Sequence, residues 1–549
     1  MKNSKRREFI KLSSIVAAGA VVLPSSILAK IQESNQKNNY NIVIIGAGLA
    51  GLTTALRLEQ EGVSNILILE AKDRVGGRTL NIPVSGGYVA EGGGQWIGPG
   101  QTAIYKLIKE LKINSFPSYI TGNIVNPTEL NNVELTDYNN AILQLNNMAA
   151  TIPIANPWDA TNANIWDNMT LEDWMDTNME TLLGSLQLSA DIAGFLSAEP
   201  SSISLLYFLF YVNSSGNIEA LLNDAQKERI EGGAQSIALT LATQIKSPIK
   251  LNSPVNSIND LGNEVKVTYN NVTITTKKVV VAMMPKDVAN ISFLSGLSTI
   301  RQNLQKNWVA NSGVKISIIY NSPFWRSAGF SGTAYGDYFT FMRDNSPMDA
   351  SSGILVGFPS DLFMSQPATN REQIAKDEIE SFFGKSAQSN IDYIETNWSD
   401  ELTIGGCVSS LPVGVLTKYG NTIRLPEGNI HWAGTETSEI WTGYMDGAIR
   451  SGERVSQEII SFFTNEFQTS KIEIKIHPNP FIENFTIQVP KGNWELKIIN
   501  MQGLLVKEKT IINQRTVNIK IDNQPNGIYS VHMFNGRKML SAQIVKKQS

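Results

Sequence analysis

The chain has 549 residues, which is too long for one hydrophobic core and predicts two or three domains. Its composition, 42% hydrophobic and 17% charged, is that of a folded protein and excludes a mainly disordered chain. Three histidines and a single cysteine, Cys407, exclude an internal disulfide and argue against a zinc site or a Cys/His catalytic pair. We therefore predict no metal site and expect a cofactor to supply the chemistry.

Charge divides the chain into three parts. Residues 1–30 carry six Lys/Arg and one acid, and residues 471–549 carry twelve Lys/Arg and five acids. Because the whole chain has a net charge of −4, residues 31–470 carry −16. This pattern places boundaries near residues 30 and 470. The acidic middle argues against nucleic acid as a partner and favours cationic ligands.

The first residues predict a cleaved signal peptide over 1–29. Arg6 and Arg7 precede a short apolar run that Pro24 interrupts and that ends at Ala29. The segment resembles a twin-arginine signal, with Lys5 where serine or threonine is usual. We expect an exported protein, in the periplasm, on the cell surface or secreted, that uses export machinery and has no transmembrane anchor after cleavage. The alternative is a basic amphipathic membrane anchor.

A strand–helix–strand unit follows in "NIVIIGAGLAGLTTALRLEQEGVSNILILE". Ile42–Ile45 reads as a buried strand, Gly46, Gly48 and Gly51 open a helix, and Ile66–Leu69 reads as the second strand. Glu70 then ends the second strand, as the dinucleotide-binding motif requires. The glycines allow a pyrophosphate to approach the helix N-terminus, and Glu70 would accept hydrogen bonds from a ribose. An acid here favours FAD or NAD over NADP; a glycine-rich turn without a ligand is the alternative.

The extension "EAKDRVGGRT" decides between these cofactors because the sequence resembles the flavin-containing amine oxidase family. The resemblance covers most of residues 40–463, and it includes "WDNMTLEDWMD" (166–176), "LLYFLFYV" (205–212), "GVKISIIYNSPFWRS" (313–327) and "HWAGTETSEIWTGYMDGAIRSGER" (431–454). It implies an α/β FAD-binding domain of Rossmann-like βαβ type, interleaved with an α+β substrate domain. It also places Glu70, Ala71, Arg74 and Arg78 at the FAD.

The resemblance assigns further residues, each with a plainer alternative. Lys315 would hold a water against flavin N5, whereas its alternation with Val314 and Ile316 along a strand indicates a solvated outward lysine. Trp398 would pack near the flavin or be an ordinary core tryptophan. Gln226 would line the substrate pocket or be exposed at a helix end. Val255 would meet the adenine through its backbone or simply be a strand valine.

The segment 433–453 reads as a strand end, a loop and a helix starting near Tyr444, whose N-terminus would face the flavin pyrimidine. By resemblance, Met445 contributes a backbone N–H, Glu436 meets the ribityl–phosphate region, and Tyr444 is one wall of an aromatic cage. Val408 stands where the family usually has the second aromatic wall, which leaves the substrate range open.

Cys407 occupies the position of the family's covalent flavin attachment, a thioether to the flavin 8α carbon. The resemblance implies such a bond, which requires a thiolate beside the flavin methyl. The alternative is a buried thiol with no bond to the cofactor.

The substrate class is indicated by "EGGGQWIGPGQ", where amino-acid oxidases of this fold carry a carboxylate-binding arginine. This chain has Gln95 and Trp96 there, which we also assign to the cofactor region. The expected reaction is FAD-dependent oxidation of a primary amine, with secondary amines also allowed, to an imine and aldehyde, with O2 reduced to H2O2. An L-amino-acid oxidase and a flavin-binding surface protein with degenerate catalysis stay open.

The tail alternates apolar and polar residues in "NFTIQVP", "NWELKIIN", "RTVNIKID" and "GIYSVHMF", with turns at "NMQG" and "QPNG". This predicts an all-β sandwich over 472–549. It resembles the C-terminal sorting domain of the type IX secretion system of Bacteroidota; a generic immunoglobulin-like or carbohydrate-binding module is the alternative.

The predicted domain bounds follow from these features. The FAD domain takes approximately 40–80, 236–290 and 400–463, and the substrate domain takes approximately 81–235 and 291–399. A linker spans 464–471.

Overall fold

The structure is a computed structural model. It describes residues 38–126, 129–311, 313–401, 403–469, 475–489, 492–500, 505–522, 524–534 and 539–547. The predicted signal peptide, 1–29, lies outside the described residues. The chain divides after Ser456 into two units, which are taken in turn.

The strands of the first unit are, in chain order, β1 Asn39–Ile45, β2 Ile66–Leu69, β3 Asn81–Pro83, β4 Val89–Glu91, β5 Trp96–Ile97, β6 Ser115–Pro117, β7 Asn123–Val125, β8 Glu228–Ile230, β9 Ile249–Lys250, β10 Val255–Asp260, β11 Val265–Tyr269, β12 Val272–Ala282, β13 Ser292–Phe293, β14 Val309–Asn311, β15 Val314–Tyr320, β16 Phe330–Ala334, β17 Phe339–Asp344, β18 Gly353–Pro359, β19 Asp392–Asn397, β20 Val408–Ser410 and β21 Ile430–Ala433.

The α-helices are α1 Leu49–Gln60, α2 Thr102–Leu111, α3 Asn132–Ala149, α4 Ala163–Trp166, α5 Leu171–Asn178, α6 Leu182–Leu196, α7 Leu205–Ser215, α8 Ile218–Leu222, α9 Gln235–Gln244, α10 Pro285–Val288, α11 Thr299–Asn307, α12 Phe324–Ser327, α13 Asp361–Met364, α14 Ala368–Phe383, α15 Val415–Tyr419 and α16 Met445–Thr469. Short 3₁₀ turns lie at Pro157–Asp159, Pro200–Ser202, Asp224–Gln226, Lys385–Ser389, Trp398–Asp400, Gly420–Thr422 and Thr435–Thr437.

One sheet carries the predicted nucleotide-binding unit. Its strand order is β13-β10-β11-β12-β1-β2-β9, with β21 also paired to β12. β1 runs parallel to both β2 and β12, so its unbroken apolar run is covered on both faces, as is usual for a parallel sheet. The sheet therefore collects strands from three separated stretches of chain, as interleaving requires. β13 belongs to this sheet although the predicted substrate segment begins at residue 291.

A second sheet has the order β19-β15-β18-β17-β16-β7 and is antiparallel except between β16 and β7. In β15, every residue after Val314 is buried. A helical core lies around α7, whose residues from Leu205 to Val212 are all buried, which explains why its sequence is apolar all round. These parts build the walls of the cavity described below.

The helix α16 begins at Met445, one residue after the predicted start, and continues to Thr469. The division after Ser456 falls inside this helix, and residues 464–469 of the predicted linker belong to it. The predicted bounds of the FAD, substrate and tail domains stay predictions.

The second unit is all-β after the helix. Its strands are β22 Lys475–His477, β23 Asn484–Gln488, β24 Asn493–Asn500, β25 Leu505–Ile512, β26 Thr516–Lys520, β27 Gly527–Phe534 and β28 Met539–Lys546. They form two sheets, β22-β23-β26 and β25-β24-β27-β28. One apolar core includes residues from both sheets, among them Phe485, Leu496 and Val531. The four predicted strands are present, and three further strands complete a sandwich-like arrangement. Across the described ranges, no helix combines the length and apolar character needed to span a membrane.

Candidate active site

A cavity of about 1320 Å³ lies in the first unit. Most of the predicted site residues line it, namely Gly46, Gly48, Glu70, Ala71, Arg78, Gln95, Trp96, Gln226, Val255, Lys315, Trp398, Cys407, Val408, Tyr444 and Met445. Gly51, Arg74 and Glu436 are not on its wall. The cavity extends from the glycine-rich turn after β1 to the aromatic residues around Tyr444.

The glycine-rich turn forms one end of the cavity. Gly46 has φ +101°, a conformation that side chains rarely adopt. A Cβ on Gly51 would lie 2.0 Å from the carbonyl oxygen of Gly46, so Gly51 permits close packing of α1 on β1 rather than touching a ligand. Gly48, the N-cap of α1, provides no side-chain cap, and no acid lies in the first turn. The helix N-terminus can therefore take an anion.

Glu70 links the turn to the end of β2. Its Oε2 accepts a hydrogen bond from the backbone N–H of Ala47 at 2.7 Å. Its Oε1 accepts one from the backbone N–H of Lys72 at 2.9 Å. Burial raises the pKa of Glu70 in spite of these donors. Each carboxylate oxygen keeps a further acceptor position for a ribose hydroxyl.

The two arginines after β2 have different environments. Arg74 donates from Nη1 to the carbonyl oxygens of Gly77 (3.0 Å) and Thr79 (3.1 Å), so it stabilises its own loop and does not line the cavity. Arg78 lines the cavity and pairs with Glu436 Oε1 at 2.7 Å while donating to the Cys407 carbonyl at 3.0 Å. Burial alone would lower the pKa of Arg78, but Glu436 outweighs it and the pKa is raised.

Glu436 is 4% exposed and has one free oxygen. Its Oε1 meets Arg78, with Ser409 Oγ at 3.5 Å, whereas no donor among the described residues reaches its Oε2. A buried carboxylate oxygen without a donor is costly unless a ligand supplies one. Because Glu436 does not line the cavity, the fit to the expected cofactor rests on the groups that do. Arg78 and the uncapped N-terminus of α1 at Gly48 both lie on the wall, and both suit the phosphates of FAD.

Lys315 is buried, at 7% exposure, and faces the cavity. The outward, solvated position that the strand alternation indicated is therefore wrong, because β15 is covered on both faces. Its Nζ donates to the Gly93 carbonyl and to Gln95 Oε1, both at 2.5 Å. Burial lowers the pKa of Lys315 to about 8. One N–H of a protonated Nζ remains for a water or a ligand.

Cys407 lies on the cavity wall against Gly313, where a Cβ would stand 2.5 Å from the cysteine Cβ. Its N–H donates to the Asn311 carbonyl at 3.0 Å, which holds the loop. Burial raises the pKa of the Cys407 thiol, although Arg78 and Lys315 act against that shift. The thiol is therefore protonated at neutral pH in this state.

Tyr444 precedes α16 and lines the cavity together with Val408 and Tyr211. Its ring meets Trp441 edge-on at 4.9 Å and lies 6.2 Å from Tyr211 between centroids. Burial raises the pKa of Tyr444, so its phenol stays protonated. Sequence reasoning missed Tyr211, whose place on a helix that is apolar all round gave no signal for a site.

The remaining predicted residues lie around the same space. Gln226 is half-buried, so the alternative of an exposed glutamine at a helix end is wrong. Its Nε2 donates to the Leu221 carbonyl at 3.0 Å, and no donor among the described residues reaches its Oε1. Trp398 is 2% exposed and donates from Nε1 to the Gly92 carbonyl at 2.9 Å. Val255 lines the cavity from β10, and Trp96 lines it from β5.

The described wall of the cavity carries two cations, Arg78 and Lys315, and both are held by protein acceptors. It also carries four acids, which are Glu70, Glu199, Asp287 and Asp361. Sequence reasoning missed Asp287, which accepts from the Gly405 N–H at 2.9 Å; burial raises its pKa to about 6. Within the described ranges, no group of three His, Cys, Asp or Glu could hold a metal.

The chain is similar to known proteins over most of its length. The family model for flavin containing amine oxidoreductases matches residues 49–460, and the model for a secretion system C-terminal sorting domain matches residues 475–547. The chain is 35% identical over 440 residues to a Mycobacterium tuberculosis protein named flavin-containing monoamine oxidase AofH, covering 76% of this chain and 96% of the relative. It is 29% identical over 493 residues to horse amine oxidase A, covering 85% and 93%.

Two solved structures are also similar. A putrescine oxidase bound to putrescine has a TM-score of 0.74 and 27% identity over 77% of this chain and 99% of its own. Cyclohexylamine oxidase from Brevibacterium oxydans has a TM-score of 0.73 and 28% identity over the same shares.

Proposed function

Because the chain belongs to the flavin-containing amine oxidoreductase family and is an amine oxidase, we propose that it oxidises a primary amine, with secondary amines also accepted. The net reaction consumes the amine, O2 and water and yields H2O2, a carbonyl compound and the released amine, through an imine that water hydrolyses. An unbranched primary amine gives an aldehyde and ammonia, cyclohexylamine gives a ketone and ammonia, and a secondary amine releases a primary amine. One observation carries the proposal: a single cavity joins the glycine-rich turn to the wall formed by Lys315 and Tyr444.

We assign FAD to this cavity. Gly46 and Gly48 with the α1 N-terminus would receive the pyrophosphate, and Glu70 with Ala71 would receive the adenosine ribose. Arg78, paired with Glu436, would meet the ribityl–phosphate region, Val255 the adenine, and the Met445 N–H the flavin pyrimidine. When bound, the flavin takes two electrons from the amine and passes them to O2.

Tyr444 and Gln226 form the proposed amine-binding side. The Tyr444 ring would orient the amine nitrogen, and the free Oε1 of Gln226 would accept one of its N–H groups. Trp398 closes the cavity near the cofactor. By the family resemblance, Val408 stands where a second aromatic wall is usual, so the aromatic cage is proposed to have one wall only, which is Tyr444.

Lys315 is the proposed catalytic cation. Its two protein acceptors, Gly93 O and Gln95 Oε1, fix Nζ at the cavity wall, and the remaining N–H can hold a water beside the flavin. A held water and a fixed positive charge assist reoxidation by O2 without rearrangement at the moment of reaction.

The charges on the wall favour amines over amino acids. An amino-acid substrate needs a cation for its carboxylate, but Arg78 is paired with Glu436, and the one remaining N–H of Lys315 is assigned to the water beside the flavin. Four acids on the described wall favour a cationic substrate. An L-amino-acid oxidase is therefore the less supported alternative.

A matched substrate panel tests the proposal. We expect H2O2 from 2-phenylethylamine, putrescine or cyclohexylamine, and at least about 100-fold lower kcat/KM for L-phenylalanine, which adds only a carboxylate. The reverse preference would make the enzyme an amino-acid oxidase, and peroxide from none of them would refute oxidation of simple amines.

We further propose that Cys407 carries the FAD covalently. Its position on the cavity wall supports this. The C–S bond would form with loss of the thiol proton and of one hydrogen from the flavin 8α methyl, and the two electrons released would reduce the flavin and then pass to O2. After acid precipitation, flavin should remain with the wild-type protein and appear in the supernatant of Cys407→Ala. Free FAD from the wild type would refute the covalent bond and leave the oxidase activity unaffected.

The C-terminal sorting domain indicates export to the cell surface or release from the cell. We propose that the route is the type IX secretion system of a member of the Bacteroidota, reached after cleavage of the signal peptide at 1–29. The strands β22–β28 share an apolar core of their own. This supports a tail that serves only as a sorting signal and has no part in catalysis.

A further inference from the structure

Gln95 lies behind Lys315 and is 1% exposed. Its Oε1 accepts from Lys315 Nζ at 2.5 Å, and its Nε2 donates to Asn345 Oδ1 at 2.6 Å. An ammonium group has only donors, so Gln95 must present its oxygen to Lys315 and its NH2 to Asn345. The direction of both hydrogen bonds is thus set by the lysine charge.

Asn345 is itself held by a buried ion pair. Arg229 Nη1 donates to the backbone carbonyls of Asn345 (2.7 Å) and Ser346 (2.8 Å), and Arg229 Nη2 meets Glu91 Oε2 at 2.7 Å. Glu91 in turn accepts from the Ala234 N–H at 2.8 Å. Asn345 and Glu91 are 0% exposed and Arg229 is 5% exposed. Asn345 Nδ2 has no acceptor among the described residues, but its Oδ1 and its backbone carbonyl are both bonded. Groups this deeply buried and held by these bonds have little freedom to move.

We propose that Gln95 and Asn345 are positioning residues that hold Nζ of Lys315 at the cavity wall with one N–H free for the cavity. The proposal rests on the proposed role of Lys315 and adds to it the two side chains through which that lysine is set. Asn345 does not line the cavity and acts only through Gln95.

The charged and titratable groups that act on Lys315 are Glu91, Cys407 and Arg229. The rings of Trp96 and Phe358 lie 5.5 and 5.9 Å from Nζ. Burial is the largest influence and lowers the pKa of Lys315 to about 8, Glu91 and Cys407 raise it, and Arg229 lowers it. Gln95 adds a neutral acceptor, so its replacement should change this pKa in a direction set by the new group.

The test measures Lys315 itself, without amine turnover. Trace acetic anhydride labelling of the holoenzyme over a range of pH, read by peptide mass spectrometry, gives the pH midpoint at which Lys315 becomes a neutral nucleophile. Gln95→Leu removes an acceptor from the charged form and should lower the midpoint by roughly one pH unit. Gln95→Glu places a carboxylate there and should raise the midpoint by about one unit or more.

Asn345→Leu should lower the midpoint by less, and the Gln95→Leu/Asn345→Leu double variant should match Gln95→Leu alone, because Asn345 acts through Gln95. Gln101→Leu is the matched control, since Gln101 is equally buried in the same segment and should leave the midpoint unchanged. The pH dependence of the oxidised flavin spectrum gives a second reading of the same midpoints.

Three results would overturn the proposal: an unchanged midpoint in Gln95→Leu, the same direction of shift in Gln95→Leu and Gln95→Glu, or additive effects of the two leucine variants. If Gln95→Leu does not fold, Gln95→Glu still tests the proposal, because it keeps nearly the same volume and should raise the midpoint of Lys315. The Gln95 and Asn345 variants could show the expected midpoint shifts while Lys315→Met reoxidises normally. That result would refute the proposed catalytic role of Lys315 but not its positioning by Gln95 and Asn345.

Discussion

The two ends of the cavity are held together in different ways. At the nucleotide end, Glu70 bonds Ala47, 23 residues away, and α1 packs on the turn that precedes it. At the amine end, Lys315 bonds Gln95 across 220 residues, and Arg78 bonds the Cys407 carbonyl across 329. Local backbone contacts make the first end part of the fold itself. Side chains from distant segments make the second end, so single replacements there should alter chemistry more than folding.

The largest effect is expected from Gly51→Ala at the nucleotide end. A methyl group would lie 2.0 Å from the Gly46 carbonyl, so α1 must move away from β1. We expect the apoprotein to lose roughly 1–3 kcal/mol of unfolding free energy and FAD binding to weaken severely. Thermal unfolding and FAD titration measure both.

Gly48→Ala is the matched comparison, because its Cβ would meet only Gly77 Cα at 3.8 Å. It should leave apoprotein stability nearly unchanged while weakening FAD binding, since the methyl group faces the cavity. An equal loss of stability in both variants would contradict this prediction. It would show that Gly48 is needed for folding as much as Gly51 is.

A smaller, chemical effect is expected at the amine end from Lys315→Met. The variant should fold and retain FAD, while stopped-flow reoxidation by O2 slows by roughly 100-fold because the fixed cation and its water are lost. Lys278→Met is the control, since Lys278 is similarly buried, at 6% exposure against 7%, but does not line the cavity. Unchanged reoxidation in Lys315→Met would remove this lysine from the mechanism.

Tyr444→Phe should have a modest effect. The ring and its edge-on contact with Trp441 remain, and only the hydroxyl is lost. We expect kcat/KM for amines to fall roughly three- to tenfold, the range for one lost hydrogen bond. Tyr320→Phe removes a buried hydroxyl that donates to the Ala387 carbonyl, away from the cavity, and should leave kcat/KM unchanged. A similar fall in both variants would assign the effect to stability.

The smallest effect on catalysis is expected from deletion of residues 472–549. The described residues that line the cavity lie between Ile45 and Ala448, and none of them belongs to the tail. The shortened protein should bind FAD and oxidise amines with kinetic constants within about twofold of the full chain, yet fail to reach the cell surface. Loss of FAD binding would place the tail in the catalytic unit.

Local patterns predicted much of this molecule from the sequence. Ile66–Leu69 has the predicted bounds, and β1 begins only three residues earlier than expected. The four predicted tail strands are present because each short segment alternates apolar and polar residues with a period of two. The glycine spacing of 46, 48 and 51 predicted the turn because Gly51 packs on the carbonyl of Gly46, five residues earlier in the chain. The family resemblance, carried by the motifs around Arg78 and Tyr444, supplied the catalytic assignments that no spacing could give.

Only the tertiary structure decided where the side chains of the amine end point. Alternation indicated an outward Lys315, but both faces of β15 are covered by segments far away in the chain, so period two carried no information on exposure. Arg74 turned into its own loop because Gly77 and Thr79 offer carbonyls there, whereas Arg78 found Glu436. Asn345 and Arg229 have no motif of their own. They matter at this site because folding places them behind Gln95, where a buried ammonium requires an ordered chain of acceptors.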